Sequence, residues 1–284
     1  MQIINDPKLL RDKIKQLKQQ GQEIAFVPTM GNLHNGHLQL VRQAKKKAAI
    51  VVVSIFVNPL QFDNAQDLKS YPKTLENDCK LLEQEAVSIV FTPDAQTMYP
   101  NGLEAQTYIE VPGLSERVEG PLRPGHFRGV CTIVNKLFNL VQPDYAFFGE
   151  KDFQQLAIIK QMVSDLAMPI EIIPVAIVRE DNGLAMSSRN SKLSESERQK
   201  APHLASVLNK MANKMQDDEI IYSQLIDSAT KELASGGFKV DAIDIVDSNT
   251  LQATDENTKQ AVILMAAYLG NTRLIDNKVV NLRH

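Results

Sequence analysis

Five short apolar runs, Glu23–Val27, Ile50–Phe56, Ser88–Phe91, Tyr145–Phe148 and Ile170–Val175, constrain this chain more than any other feature. Segments of helical period separate them, at Gly36–Ala48, Pro72–Glu85, Phe127–Val141 and Lys151–Ala167. Strands that are apolar on both faces need cover on both sides, and alternation with helices gives a parallel sheet. The expectation is an α/β fold, a Rossmann-like doubly wound parallel sheet, with ligands at the carboxyl ends of its strands. A leading helix starts at Asn5-Asp6-Pro7, a cap residue followed by proline, and ends near Gln20 before Gly21.

The pattern changes after about Val178. Arg179–Ser194 is polar and rich in turn residues, and Ser194-Glu195-Ser196-Glu197 opens a helix with a cap and early acids. A second helical stretch covers Tyr222–Leu233, closed by Gly236-Gly237. Lys239–Asp247, Ala261–Tyr268 and Thr272–Ile275 read as strands of a small sheet. The expected division is residues 1–178 for the Rossmann-like domain and residues 179–284 for a smaller C-terminal α+β domain.

Composition narrows the partners. Hydrophobic residues make up 43% and charged residues 23% of 284, ordinary globular values that permit a sizeable core. The net charge of −3 supplies no basic field to recruit nucleic acid. The two cysteines, Cys79 and Cys131, sit among aliphatic neighbours in helical patterns and read as reduced thiols. Residues 1–7 lack the charged and apolar regions of a signal peptide, and no apolar run approaches a membrane span. These features predict a cytoplasmic protein without membrane partners.

The segment after the first apolar run carries the chemistry. Pro28-Thr29-Met30-Gly31-Asn32-Leu33-His34-Asn35-Gly36-His37 follows Val27, and an apolar-periodic segment begins at Leu38. A strand ends, the chain turns on two glycines, and two histidines stand at the start of a helix. Free backbone N–H groups and the positive end of the dipole make such a terminus an anion site. Imidazoles there can donate to phosphate oxygens, which points to a nucleoside triphosphate.

Four more segments fall at strand ends or at the domain junction. In Asn58-Pro59-Leu60-Gln61-Phe62, the side chains of Asn58 and Gln61 both donate and accept, which suits hydroxyls and a carboxylate in a small pocket. In Gly149-Glu150-Lys151-Asp152-Phe153-Gln154-Gln155, Lys151 is a cation at a helix start, where the dipole opposes it unless an anion arrives. Met186-Ser187-Ser188-Arg189-Asn190 offers two hydroxyls and a guanidinium for phosphates, or is an ordinary polar linker. Leu122-Arg123-Pro124-Gly125-His126-Phe127-Arg128-Gly129 either faces polyphosphate or is a solvated basic loop. No group of His, Cys and carboxylates has transition-metal spacing. A divalent ion is expected as Mg²⁺ carried in with nucleotide phosphates, with Asp78 as its candidate carboxylate.

Taken in order, Pro28–His37, Phe56–Phe62, His126–Gly129, Gly149–Gln155 and Met186–Asn190 resemble the pantothenate synthetases, ligases that join pantoate to β-alanine. The His-x-Gly-His element is shared with the wider nucleotidylyltransferase superfamily, whereas the segments around Gln61 and Gln155 are far more specific. Met186-Ser187-Ser188-Arg189 is similar to that superfamily's Lys-Met-Ser-Lys-Ser loop, with Arg189 as its cation.

The resemblance implies ATP, Mg²⁺, pantoate and β-alanine as ligands, a pantoyl-adenylate intermediate and a homodimer. It implies catalytic roles for His34, His37, Lys151 and Arg189. Met30, Gly31, Asn32, Leu33, His34, Asn35, Gly36 and His37 would cradle ATP. Gly149, Glu150, Lys151, Asp152, Val178, Met186, Ser187, Ser188 and Arg189 would complete that site. Gln61 and Gln155 would hold pantoate, and Gln61 would also meet β-alanine. Two other readings stay open at this level: a nucleotidylyltransferase acting on a phosphate-bearing acceptor, and a nucleotide-sensing or tRNA-binding module.

Overall fold

A computed structural model describes residues 1–216 and 221–282. The chain divides into two compact units, Met1–Ala176 and Ile177–His284.

The first unit holds a parallel sheet of β1 (Gln2–Ile4), β2 (Ile24–Thr29), β3 (Ile50–Ile55), β4 (Ile89–Phe91), β5 (Tyr145–Gly149) and β6 (Glu171–Val175) in the order β1-β4-β3-β2-β5-β6. Its helices are α1 (Pro7–Gln19), α2 (Asn35–Lys47), α3 (Ala65–Lys69), α4 (Leu75–Gln84), α5 (Ala95–Met98), α6 (His126–Val141) and α7 (Phe153–Asp165). Side chains alternate across the pleat. Ile24, Phe26, Val52 and Phe91 pack with Leu10 and Ile14 of α1, Val134 and Phe138 of α6 and Ile158 and Ile159 of α7. Ala25, Val27, Val51, Val53 and Val90 pack with Val41 and Ala44 of α2 and Leu82 of α4. Both faces are therefore covered, as the uninterrupted apolar runs require.

Several boundaries differ from expectation. β1 adds a sixth strand, with Gln2–Ile4 pairing in parallel with Ile89–Phe91; three residues are too few to show a period. α7 starts at Phe153 rather than Lys151, because Glu150–Asp152 forms a separate 3₁₀ turn. α4 starts at Leu75 rather than Pro72, with Thr74 at its N-cap position.

The second unit contains α8 (Glu195–Lys200), α9 (His203–Lys214) and α10 (Tyr222–Ser235), with an antiparallel sheet of β7 (Phe238–Asp247), β8 (Gln260–Leu269) and β9 (Thr272–Asn281) in sequence order. The Ser194 capping box forms as its sequence requires, with Ser194 and Glu197 bonding reciprocally. The helix that it opens stops at Lys200, and α9 restarts after Pro202. Leu204, Leu208 and Met211 of α9 and Leu225 and Leu233 of α10 bury against Ile263 and Met265 of β8. β9 runs six residues beyond the expected end at Ile275, to Asn281. Buried Asp276 hides that continuation from a hydropathy pattern. Arg179 grips its carboxylate with two hydrogen bonds, of 2.6 and 2.9 Å.

Candidate active site

β2, β3 and β5 are consecutive neighbours in the sheet, and the strand order reverses between β2 and β5. Ligands of doubly wound sheets bind at such a switch point, beyond the carboxyl ends of the strands. Met30–His37 leaves β2, Asn58–Gln61 follows β3, and Glu150–Gln155 leaves β5. The topology thus gathers at one edge three segments that are far apart in sequence.

The turn after β2 is held by hydrogen bonds of its own. Thr29 Oγ1 donates to the Ser54 carbonyl at 2.7 Å and accepts from Gly31 N–H at 3.2 Å. Gly31 and Asn32 take left-handed φ values of +83° and +51°. Asn32, not Gly36, is therefore the second left-handed residue of the turn; Gly36 lies within α2. Asp78 closes the loop from below. Its carboxylate accepts from Asn32 N–H at 2.9 Å, Leu33 N–H at 2.8 Å and Thr74 Oγ1 at 3.1 Å. A Cβ on Gly31 would lie 3.0 Å from Asp78 Oδ2 and 3.1 Å from Ile55 Cγ2, which adds a steric demand for glycine.

Asp78, the candidate carboxylate for Mg²⁺, has a structural role in this turn. Its side chain is buried beneath the turn and occupied by three donors. Among the described residues, no group of three or more His, Cys, Asp or Glu could hold a metal ion.

His34 is the N-cap of α2, and its Nδ1 accepts from Gly36 N–H at 3.1 Å. The ring itself therefore takes one N–H that the sequence pattern left to an anion. His37 Nδ1 accepts from His34 N–H at 3.4 Å. The ring centroids are 4.1 Å apart, with planes tilted by 43°. A backbone N–H can only donate, so each Nδ1 must be the acceptor nitrogen. In the neutral ring the proton then resides on Nε2. Both imidazoles thus carry their remaining N–H on the side away from the backbone that holds them. Burial, followed by the charges of His34 and Lys151, pushes the His37 pKa down to about 3. His37 is neutral at physiological pH, and Lys151 is close enough to act on it electrically.

A Cβ on Gly149 would meet no atom within 4 Å, so the space beside this residue is open. Gln155 is half-buried on α7. Its neighbour Gln154 is structural: it donates to the Leu114 and Arg117 carbonyls at 2.9 and 2.7 Å and accepts from Glu119 N–H at 3.1 Å.

Gln61 is held from two directions. Its Oε1 accepts from Asn58 Nδ2 at 2.9 Å, and its carbonyl accepts from His126 Nδ1–H at 2.7 Å. His126 Nε2 then accepts from Arg123 Nη1 at 3.1 Å, and Arg123 lies 3.6 Å from both Asp63 and Glu119. Burial, reinforced by Arg123, pushes the His126 pKa down to about 4. The segment 122–129 is thus neither a polyphosphate clamp nor a solvated loop at these two residues. Arg123 and His126 brace the turn that carries Gln61, and Arg128 lies over the Tyr108 ring at 4.9 Å.

Val178 and Met186–Arg189 belong to the second unit. Met186 N–H donates to the Val178 carbonyl at 2.9 Å, and Arg179 pairs with Ala185 across an isolated bridge. Asn190, buried, donates to the Ala185 carbonyl and Glu180 Oε1 at 3.1 and 3.2 Å. Ser187 Oγ accepts from Arg189 N–H at 3.2 Å as the cap of a 3₁₀ turn. These contacts frame the serine–arginine loop from within its own unit.

Sequence reasoning missed Tyr99, whose buried hydroxyl donates to Asn58 Oδ1 at 2.6 Å. The two residues are 41 positions apart, and no local pattern links them.

Comparison with known proteins shows the family. The family model for pantoate–β-alanine ligase matches residues 2–279. The chain belongs to the pantoate–β-alanine ligase family. The pantothenate synthetase of Psychromonas ingrahamii is 68% identical over 284 residues, covering 100% of this chain and 98% of that protein. That of Vibrio cholerae serotype O1 is 56% identical over 283 residues, covering 100% and 97%. The crystal structure of pantothenate synthetase from Thermus thermophilus superposes with a TM-score of 0.90 at 40% identity, covering 98% of this chain and 99% of that one. The pantoate–β-alanine ligase of Francisella tularensis, solved with β-γ ATP and β-alanine, superposes with a TM-score of 0.83 at 36% identity, covering 98% and 97%. As a pantoate–β-alanine ligase the chain is an enzyme, and no helix among its described residues is long and apolar enough to cross a membrane.

Proposed function

We propose that this ligase activates pantoate with ATP and transfers the pantoyl group to β-alanine. A carboxylate oxygen is a poor leaving group, so amide formation at neutral pH needs activation. A pantoate carboxylate oxygen attacks the α-phosphorus of ATP; the bond from α-phosphorus to the bridging oxygen breaks, and pyrophosphate leaves with the electron pair. The β-alanine amine then adds to the pantoyl carbonyl, the carbonyl C–O bond to AMP breaks, and the amine loses a proton.

The observation that carries this reading is the packed pair His34–His37, with His37 neutral beside Lys151. Two fixed Nε2–H donors and one ammonium suit the charge that builds on a phosphate and its leaving group, where positioning and electrostatics do most of the work. Met30–His37 and Gly149–Asp152 line the ATP side; in the second unit, Val178, Met186–Ser188 and Arg189 are the residues that the family resemblance assigns to the nucleotide. Gln61 and Gln155 hold pantoate, and Gln61 also meets β-alanine. Neutral amides suit the hydroxyls and carboxylate of pantoate, whereas a phosphate-bearing acceptor calls for cations. That difference favours the ligase over a nucleotidylyltransferase.

The donor set fits a Mg²⁺ that arrives with the triphosphate better than one caged by protein. Among the described residues no group of acids is assembled, and Mg²⁺ commonly keeps waters and phosphate ligands. When bound, it would neutralise phosphate charge. We further propose a cytoplasmic homodimer.

Isotope exchange between pyrophosphate and ATP tests the proposal. Exchange should require pantoate and proceed without β-alanine. Exchange without pantoate, or only with β-alanine, would reject it.

A further inference from the structure

The hydrogen bonds around Asn58 carry a direction. Leu60 N–H approaches one atom of the Asn58 amide at 3.3 Å, and a backbone N–H can only donate, so that atom is oxygen. The Gly129 carbonyl lies 3.1 Å from the other atom and can only accept, so that atom is nitrogen. The backbone thus fixes which end of the amide is which.

Two consequences follow. Tyr99 faces the oxygen at 2.6 Å and must donate its hydroxyl proton to it. The Gln61 atom 2.9 Å from Asn58 Nδ2 must be its oxygen. Gln61 Nε2 is then the end not used by Asn58. The chain of donation runs from Tyr99 to Asn58 to Gln61 and outward.

We infer that Tyr99 is a positioning residue that, through Asn58, presents Gln61 to pantoate as a hydrogen-bond donor. The inference rests on the reading that Gln61 holds pantoate. Tyr99 suits the task. Its ring is buried, and that burial raises the phenol's pKa above its ordinary value and keeps the proton in place. The ring packs 6.1 Å from Phe56, and Lys136 sits over it at 5.1 Å and donates to the Met98 carbonyl. Asn58 is buried in turn, so water cannot readily replace the lost hydroxyl. A donor suits the carboxylate or a hydroxyl oxygen of pantoate; an acceptor in its place would repel the carboxylate.

The test is a kinetic cycle on the whole enzyme. Tyr99→Phe keeps the ring and removes the donor. The KM for pantoate should rise about tenfold, the scale of one lost buried hydrogen bond, while the KM for ATP stays within about twofold. Gln61→Ala should raise the pantoate KM further, and adding Tyr99→Phe to it should produce no additional rise. A merely structural role would raise both KM values or act equally in both backgrounds, and either result overturns the relay. Gln61→Ala with an unchanged pantoate KM overturns the assignment of Gln61 and the relay with it. Gln61→Glu decides independently of whether Tyr99→Phe folds. It keeps an acceptor for Asn58 but replaces the outward donor with oxygen, so pantoate binding should fall by at least as much as in Gln61→Ala. Undiminished binding would refute the donor role.

Discussion

At the scale of single residues, the chemistry turns on where protons sit. Backbone N–H groups occupy Nδ1 of His34 and His37, so the proton of each neutral ring resides on Nε2. The depressed pKa of His37, about 3, makes it a neutral donor in the free enzyme rather than a ready imidazolium. His37→Ala should therefore slow adenylation by about 10²-fold or more, the scale of a well-placed donor or acid. Pulse–quench measurement of pyrophosphate release would check this, and a near-normal rate would remove His37 from the chemistry. The two imidazoles were legible in sequence because they stand three positions apart at a helix start. Their tautomers were not, since these depend on which amide lies against which nitrogen. Asp78 shows the converse. A carboxylate on a helix reads as a candidate ligand, but its buried bonds to Asn32 and Leu33 make it part of the turn.

At the scale of elements, the site depends on how closely helix α6 approaches the turn after β3. A Cβ on Gly129 would lie 2.3 Å from the Leu60 carbonyl oxygen and 2.8 Å from Gln61 N, so only glycine fits there. Gly129→Ala must push back the turn that carries Gln61. The variant should lose about 1–3 kcal/mol of stability, as overpacked sites do, and its pantoate KM should rise. Denaturant unfolding with steady-state kinetics would test this, and an unchanged pantoate KM would show that α6 does not set the position of Gln61. The same contact explains why the segment 122–129 was ambiguous. Two arginines and a histidine look like an anion site until Arg123 is found facing Asp63 and Glu119, with His126 on the Gln61 carbonyl. The apolar runs, by contrast, placed five strands of the parallel sheet, because burial on both faces leaves a continuous signal. β1 escaped at three residues, and β9 was cut short at Asp276, whose charge is answered by Arg179 from 97 positions away.

At the scale of the whole molecule, buried neutral histidines tie stability to pH. His126 has a folded pKa of about 4, and an unfolded histidine titrates near 6.5. Between those values the unfolded chain binds more protons, so stability must fall as pH drops from about 6.5 toward 4. His126 alone should contribute about 2 kcal/mol of that loss by about pH 4.5. His126→Gln can still donate to the Gln61 carbonyl and accept from Arg123, without titrating. Its unfolding free energy should depend less steeply on pH than that of the parent across this range. Equal slopes would mean that His126 does not carry the dependence.

The central claim is that pantoate is activated by joining its carboxylate to the α-phosphorus of ATP. Pantoate labelled with ¹⁸O in its carboxylate tests this most directly. After one turnover with ATP and β-alanine, a single ¹⁸O should appear in AMP and none in inorganic pyrophosphate. Label in inorganic phosphate formed with ADP, or AMP without label, would contradict it.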